Sequence, residues 1–364
     1  MSFIEAAAQK DIHVIRSQPE SGPPDTSGDV RVTVIILNWN GRRFLEPCLL
    51  SLQRQTLAGV GVLIVDNGST DGSVEFVRER FPEAKVISSD TNLGFAAGNN
   101  LAIRQARSDY VALLNNDAVA DPRWIEELVS ALGRHPEISF CASKMVIHHR
   151  PDLADSCGDT YAVDGTPGKI GHLDTVAKHN EPVEVFGACA GAAMYRRSML
   201  EELGGFDEDF FLVYEDSDLS FRARLKGYKC MYVPTAVVRH HLSATLGEKS
   251  DAAVYYAQRN IEYVFLKNMP TWLLFKYLPL HVLVNALRLF VFIARGQAGV
   301  FVRAKYEALR GVPMLLRKRR RIQNSRHISI RQLDDLFTRR PLFKELVRTL
   351  RESLRGKHEI DDQA

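Results

Sequence analysis

Between residues 32 and 134 the chain alternates short apolar runs with longer amphipathic ones, and that alternation leaves few folds open. Val32–Leu37 (VTVIIL), Val60–Val65, Lys85–Ser88 and Tyr110–Leu114 read as strands. Phe44–Gln55, Val74–Arg80, a segment ending near Arg107 and one running to about Arg134 read as helices. VTVIIL is continuous and rich in β-branched residues, as expected of a strand buried on both faces. Asp121-Pro122 reads as an N-cap followed by an N1 proline at the start of the last of these helices. Strands alternating with helices imply an α/β fold, with a mostly parallel sheet covered on both faces.

In such sheets ligands bind beyond the carboxyl ends of the strands. The polar clusters of this chain fall there: Asn38 and Asn40 after the first strand, Asp66 and Asn67 after the second, and Asn115, Asn116 and Asp117 after the fourth. Asn40-Gly41 or Asn67-Gly68 alone is an ordinary turn; the set marks a site. Asp117 follows an apolar strand in an acid-poor stretch. Mg²⁺ takes one or two protein carboxylates and fills its shell with water and substrate phosphate, a role that suits Asp117. A dinucleotide enzyme is disfavoured, because no G-x-G-x-x-G follows the first strand and no P-loop occurs. Thr91–Asn100 (TNLGFAAGNN) reads as a Gly/Asn loop after the third strand.

Phe210–Gly227 (FFLVYEDSDLSFRARLKG) sets Glu215, Asp216 and Asp218 directly against an apolar wall. An amphipathic helix follows, with Gly227 as its stop. The acids sit in its first turn, where the helix dipole favours negative charge. Asp218 can pair with Arg222 one turn on. Structural acids explain one or two of the three. A carboxylate beside an apolar wall gains a raised pKa, which suits a general base.

The remaining features bound the reading. A net charge of +3 over 364 residues gives no argument for nucleic acid. The five cysteines are scattered without a CxxC pair, the pattern of reduced thiols in a cytosolic setting. Residues 1–30 read as a flexible leader ending in SGPPDTSGD, with no secretory signal. Residues 150–185 read as irregular loops, and His148-His149 as surface residues. Phe186–Met194 (FGACAGAAM) is a run of small residues that lets backbone approach a ligand. Tyr228–Val233 reads as a strand stopped by Pro234, and Ala236–His240 then delivers His240 and His241.

After Gly247 the composition shifts. Tyr255–Asn268 reads as a helix. Thr271–Ala294 is long and apolar but carries Lys276, Pro279, His281, Asn285 and Arg288. Charges inside a spanning helix are costly, so the expectation is one or two amphipathic helices at a membrane surface, with a buried pair in a homodimer as the close second. Arg317–Arg321 would add attraction to anionic lipid. The chain thus divides into a leader (1–30), an α/β domain (31–247) and a helical region (248–364).

Taken in order, VTVIILNWNG, VDNGSTDGS, NLGFAAGNN, LLNNDAVADP, GGFDEDFFLVYEDSDLSFRARLKGY and VVRHHLS resemble the family-2 glycosyltransferases, most of all their bacterial rhamnosyltransferase-like branch. The resemblance covers about Arg31–Gly247. It implies a GT-A type α/β/α sandwich with a C-terminal helical extension, and inverting transfer from a nucleoside diphosphate sugar to a glycan or lipid-linked acceptor. It implies that Asp66 contacts a pyrimidine base, with Asn38, Asn40, Asn67, Asn92, Gly94 and Asn116 at the nucleotide. It implies Asp117 and His240 at a Mg²⁺ or Mn²⁺ ion, with His241 open for the same role. Asp117 corresponds to the last acid of the family's D-x-D motif, whose first acid is Asn115 here. Asp216 corresponds to the catalytic base, beside Glu215. The site would lie on the inner face of the cell membrane, in envelope polysaccharide synthesis. A catalytically silent, membrane-associated relative is the rival reading; the retained Asp117 and Asp216 speak against it.

Overall fold

The computed structural model describes residues 31–241 and 250–339. The leader 1–30, the boundary at Gly247 and everything after Arg339 lie outside the described residues.

The first half alternates as expected: β1 (Val32–Asn38), α1 (Arg42–Gln53), β2 (Val60–Asn67), α2 (Ser73–Arg80), β3 (Lys85–Ser89), α3 (Gly94–Gln105), β4 (Tyr110–Leu114), β5 (Ala118–Ala120) and α4 (Trp124–Arg134). There follow β6 (Ile138–Ile147), β7 (Arg150–Ser156), β8 (Asp159–Tyr161), β9 (Pro167–Lys169), β10 (Val183–Val185), β11 (Ala192–Arg196), α5 (Arg197–Leu203), α6 (Glu215–Lys226) and β12 (Lys229–His240). The main sheet has the order β10-β12-β6-β11-β4-β1-β2-β3. Parallel pairing joins β3, β2, β1 and β4, and also β6 and β12. β11 lies antiparallel between β4 and β6, so both parallel groups point the same way. Their carboxyl ends therefore open onto one edge of the molecule.

Strand alternation builds a core on each face. Val32, Val34 and Ile36 meet α1, α2 and α4 on one face, while Ile35 meets α3, α5 and α6 on the other. Gly227 ends α6 in the left-handed conformation, φ 90°, as its sequence position requires.

Four local expectations are corrected. Residues 94–100 are not loop: α3 begins at Gly94. Asp121 is not the cap of α4; the cap is Arg123, and Asp121 instead accepts the Trp124 N–H through its carbonyl. Residues 150–185 hold β7, the β8–β9 hairpin and β10. Pro234 does not stop β12. It sits in a register shift between Val233 and Val237, where the ladder to β6 is interrupted and no backbone N–H is needed.

The C-terminal helices are α7 (Asp251–Asn268), α8 (Thr271–Ala294), α9 (Ala298–Arg310), α10 (Val312–Asn324) and α11 (Ile330–Asp335). They share a core with α6 and the β8–β9 hairpin. Phe221 and Leu225 pack with Val264, Phe265, Leu315 and Phe337, and Phe337 lies 5.6 Å from Tyr161, ring centre to ring centre. Charged groups join the same seam. Lys267 is fully buried between Asp207 and Asp218, with its Nζ 2.7 Å from Asp218 Oδ1. Asp218 also takes Arg222 at 2.8 Å, the pair expected one helical turn apart.

α8 is one continuous helix despite Pro279, and it is long and apolar enough to cross a membrane by length and composition, with a mean hydropathy of 1.7 over its best window. Three of its polar residues face inward, while Lys276 is exposed. His281 meets Glu262 and the Asp164 carbonyl, Asn285 meets Glu262, and Arg288 meets Thr166. Trp272, Phe275, Val282, Phe290 and Ile293 are exposed, the aromatic three at 68%. This is the reverse of a water-facing helix. The Arg317–Arg321 run splits: Lys318 pairs with Asp207 and Asp209, Arg319 turns inward onto the Leu266 carbonyl, and Arg317, Arg320 and Arg321 remain exposed.

Candidate active site

The carboxyl ends of β1 and β2 come together in register, Asn38 opposite Asp66. Asn38 donates to Asp66 Oδ1 at 3.2 Å and accepts from Asn116 Nδ2 at 2.8 Å. The Ser69 N–H caps the other Asp66 oxygen at 3.0 Å. Asn40 receives the Thr70 N–H at 2.8 Å. A Cβ on Gly41 would fall 2.0 Å from Asn116 Nδ2, so only glycine leaves room for this network. Asn38, Asn40, Asp66 and Asn116 thus form one cluster, to which Ser69 and Thr70 belong as well.

Asn67, Asn92 and Gly94 form a second cluster. Asn67 is buried and spends its amide inside the protein, on Asn92 Oδ1 at 2.9 Å and the Leu93 N–H at 2.9 Å. Gly94, with φ 80°, lets the backbone of Phe211 close in; a Cβ there would sit 2.5 Å from the Phe211 carbonyl oxygen. These three residues shape the wall of the site by packing.

His240, at the end of β12, carries its Nε2 to 3.2 Å from Asp117 Oδ1 and its Nδ1 to 2.9 Å from Asp155 Oδ2. Burial alone would lower its pKa, but the two carboxylates outweigh burial and raise it to about 9. His241 points elsewhere, stacked 3.7 Å from the ring of His148, which is half-buried, whereas His149 is exposed. Of the two histidines in sequence, His240 is the one beside Asp117.

Asp155 also accepts Lys169 Nζ at 2.7 Å. Burial opposes ionisation of Asp155, yet His172, His240 and Lys169 hold its carboxyl far below the usual range. Lys169 and His172 then line a cleft of about 340 Å³ with Asp159, Cys189, Val213, Tyr214, Glu215 and Asp216. Asp216 accepts the Ser217 N–H at 2.7 Å and the Ala190 N–H at 3.2 Å. The second contact is where the small-residue run brings backbone close. Burial raises the Asp216 pKa against these donors. Glu215 is pushed well above the normal range by burial and then by Asp216, and its Oε2 has no hydrogen-bond partner among the described residues. Asp159 is raised likewise, by burial and then Asp216.

Asp155, Asp159, Lys169 and His172 were invisible as site residues in the sequence. Asp155 lies on β7, whose ladder to β6 is broken by register shifts, and the others lie on or beside the three-residue strands β8 and β9, so distant partners decide their placement; the only local signal is an excess of Asp and Gly.

The chemistry available is a carboxylate base in a cleft, joined through Lys169 and Asp155 to a carboxylate–imidazole pair, with an amide-rich pocket alongside. Residues 33–204 match the family described as Glycosyl transferase family 2. The N-acetylglucosaminyl-diphospho-decaprenol L-rhamnosyltransferase of Mycobacterium tuberculosis is 29% identical over 260 residues, covering 64% of this chain and 83% of that protein. The mannosyltransferase PcManGT from Pyrobaculum calidifontis, solved with GDP-Man and Mn²⁺, superposes with a TM-score of 0.50 at 18% identity, covering 93% of this chain and 92% of that one. GalNAc-T7, solved with UDP, GalNAc and Mn²⁺, gives a TM-score of 0.52 at 15% identity over 66% of this chain and only about half (51%) of its own. Residues 33–204 are a glycosyl transferase family 2 domain, and the chain that carries them has the GT-A fold of the glycosyltransferases.

Proposed function

We propose that this glycosyltransferase is an inverting enzyme that moves a sugar from a nucleoside diphosphate donor to a glycan or lipid-linked acceptor in cell-envelope polysaccharide synthesis, with residues 31–247 as the transferase domain and 248–364 as its helical extension. dTDP-rhamnose is the first donor to test, on the likeness to the rhamnosyltransferase. The observation that carries the reading is the cleft itself, in which half-buried Asp216 faces open space while Lys169 ties the same cleft to Asp155, His240 and Asp117.

The nucleotide is assigned to the Asn38–Asp66 end. A carboxylate there accepts the imide N–H of uracil or thymine, which adenine lacks. Asp216 takes the proton from the acceptor hydroxyl. That oxygen attacks the anomeric carbon from the face opposite the diphosphate, the bond to the diphosphate oxygen breaks, and configuration inverts. Glu215, whose charged form is disfavoured by burial and then by Asp216, lines the same cleft and is assigned a hydrogen bond to the substrate.

The residues present fit a divalent cation. Asp155 holds Nδ1 of His240 and turns Nε2 toward Asp117 at 3.2 Å, the carboxylate–histidine arrangement of metal sites, in which a cation would displace the Nε2 proton. Among the described residues no group of three or more such side chains exists. That suits Mg²⁺ or Mn²⁺ completing its shell with water and donor oxygens. When bound, the ion neutralises charge on the departing diphosphate. The test is a thermal-shift panel of sugar nucleotides with and without Mg²⁺ or Mn²⁺. A dTDP- or UDP-sugar at 100 times its Kd should stabilise by roughly 2.7 kcal/mol, and Asp117→Ala should remove the cation-dependent part. Preference for an ADP- or GDP-sugar overturns the base assignment, and a shift indifferent to cation overturns the metal assignment.

The acceptor and the place of action belong to the same proposal: peripheral attachment to the cytoplasmic leaflet. The outward apolar face of α8, with Trp272 and Phe275 beside Lys276, is the amphipathic kind of surface found at membrane interfaces. Arg317, Arg320 and Arg321 each add about 1 kcal/mol near anionic lipid. Full-length protein should sediment with anionic liposomes at low salt and less at high salt. Protein that stays in the supernatant as a stable homodimer assigns this face to a second copy instead.

A further inference from the structure

We infer that Asn260 of α7 is a positioning residue for sugar transfer: it latches a strained loop that sets the carboxylate of Asp216. The inference rests on Asp216 being the base. The loop is residues 211–214, immediately before α6. Phe211, Val213 and Tyr214 have φ of 59°, 67° and 68°, a conformation that L residues avoid and that a β-branched valine avoids most. Strain of this kind persists only where the surroundings impose it.

Asn260 imposes it. The residue is fully buried, and its Nδ2 faces three carbonyls of this stretch: Phe210 at 3.1 Å, Leu212 at 2.8 Å and Val213 at 2.7 Å. Arg259 fixes which way the amide points, because its Nε–H donates to Asn260 Oδ1 at 2.9 Å. The same guanidinium holds the Asp209 and Phe210 carbonyls, both at 2.9 Å. Phe211 stacks on Tyr256 of the same helix, 5.1 Å between ring centres. From the other side the Phe95 N–H donates to the Phe211 carbonyl at 2.5 Å. The loop is therefore held between α7 and the start of α3.

Val213 and Tyr214 line the cleft with Asp216, and Tyr214 is the N-cap residue of α6. Its carbonyl takes the Asp218 N–H at 3.0 Å, starting the helix. A return of Val213 or Tyr214 to negative φ rotates this start, and with it the bond from Cα to the Asp216 carboxylate. Asn260 lines no part of the cleft, so it acts only through the loop.

The experiment compares Asn260→Ala, Asn260→Ser and the double variant Asn260→Ala/Val213→Gly in the full chain. Turnover, donor affinity and backbone hydrogen exchange of residues 211–217 are measured on the folded protein. Asn260→Ala should lower kcat by about 10-fold or more, since sub-ångström to 1 Å displacements carry such costs, with donor Kd within about 2-fold because the Asn38–Asp66 end is untouched. Exchange at 211–217 should quicken. The double variant should regain turnover, because glycine adopts positive φ unaided. A folded alanine variant with unchanged kcat, or one whose donor affinity falls in step with kcat, overturns the inference, as does a double variant no better than the single. Where the alanine variant does not fold, the serine variant decides by the same readouts. A wild type that transfers no sugar rejects the proposed function instead; exchange at 211–217 in the serine variant then still reads the latch, supporting it if faster and overturning it if unchanged.

Discussion

Asp216→Asn should lower the transfer rate by about 10²-fold or more while leaving the donor bound. The amide keeps the size of the carboxylate. Its oxygen can still accept the Ser217 N–H, but its NH₂ then faces the Ala190 N–H, so one of two half-buried contacts is lost. The proton acceptor is gone in any orientation. Glu215→Gln is the contrast. Because burial and then Asp216 push the Glu215 pKa well above the normal range and so disfavour its charge, a neutral amide is a small change there, and the rate should fall by less than about 10-fold. Steady-state rates with donor binding by calorimetry separate the two. Near-normal turnover in Asp216→Asn would move the base to another carboxylate of the cleft, with Asp159 next in place.

Lys267→Met should cost about 3–5 kcal/mol, the usual result of removing one partner from a buried ion pair. Lys267 Nζ lies between Asp207 and Asp218 with no exposure, and methionine fills the space without neutralising either acid. Lys318, Arg222 and Asn268 remain on the two carboxylates, which favours the lower part of that range. Arg123→Ala, which removes an exposed partner of Glu126, should cost less than about 1 kcal/mol. Urea unfolding of both variants makes the comparison. A loss under about 1 kcal/mol for Lys267→Met would mean that the seam between α6 and α7 rests on its apolar contacts.

What was legible in the sequence is what local pattern controls. VTVIIL is buried on both faces wherever it sits in a parallel sheet, and Gly227 stops α6 because only a left-handed residue continues the chain there. Asn38, Asp66 and Asp117 could be placed at one edge because strand direction follows from the helices between strands. The reversal at β11 was not legible, because Ala192–Arg196 pairs with β4 and β6 far away in sequence. Pro234 misled because a bulge, not a strand end, relieves its missing N–H. Asp155 reaches His240 from the irregular β6–β7 pairing, and Lys169 reaches Asp155 and the cleft from a hairpin too short to show a period. The apolar run of α8 was visible; that its His281 and Asn285 turn inward follows from Glu262 on another helix, and the inward turn of Arg288 from Thr166 beyond the β8 strand.

The core shared by α6 and the C-terminal helices has a consequence for how the chain is made. Phe221 of α6 packs against Phe337 as well as Tyr161 and Phe186, and Ala162 bridges to Thr338. A ribosome adding roughly 5–20 residues per second releases the sheet long before it releases those partners. Nascent chains arrested before Phe337 should therefore present a formed Asn38–Asp66 edge but a loose α6, and, on the proposed role of Asp216, transfer should begin only once residues through Thr338 have left the exit tunnel.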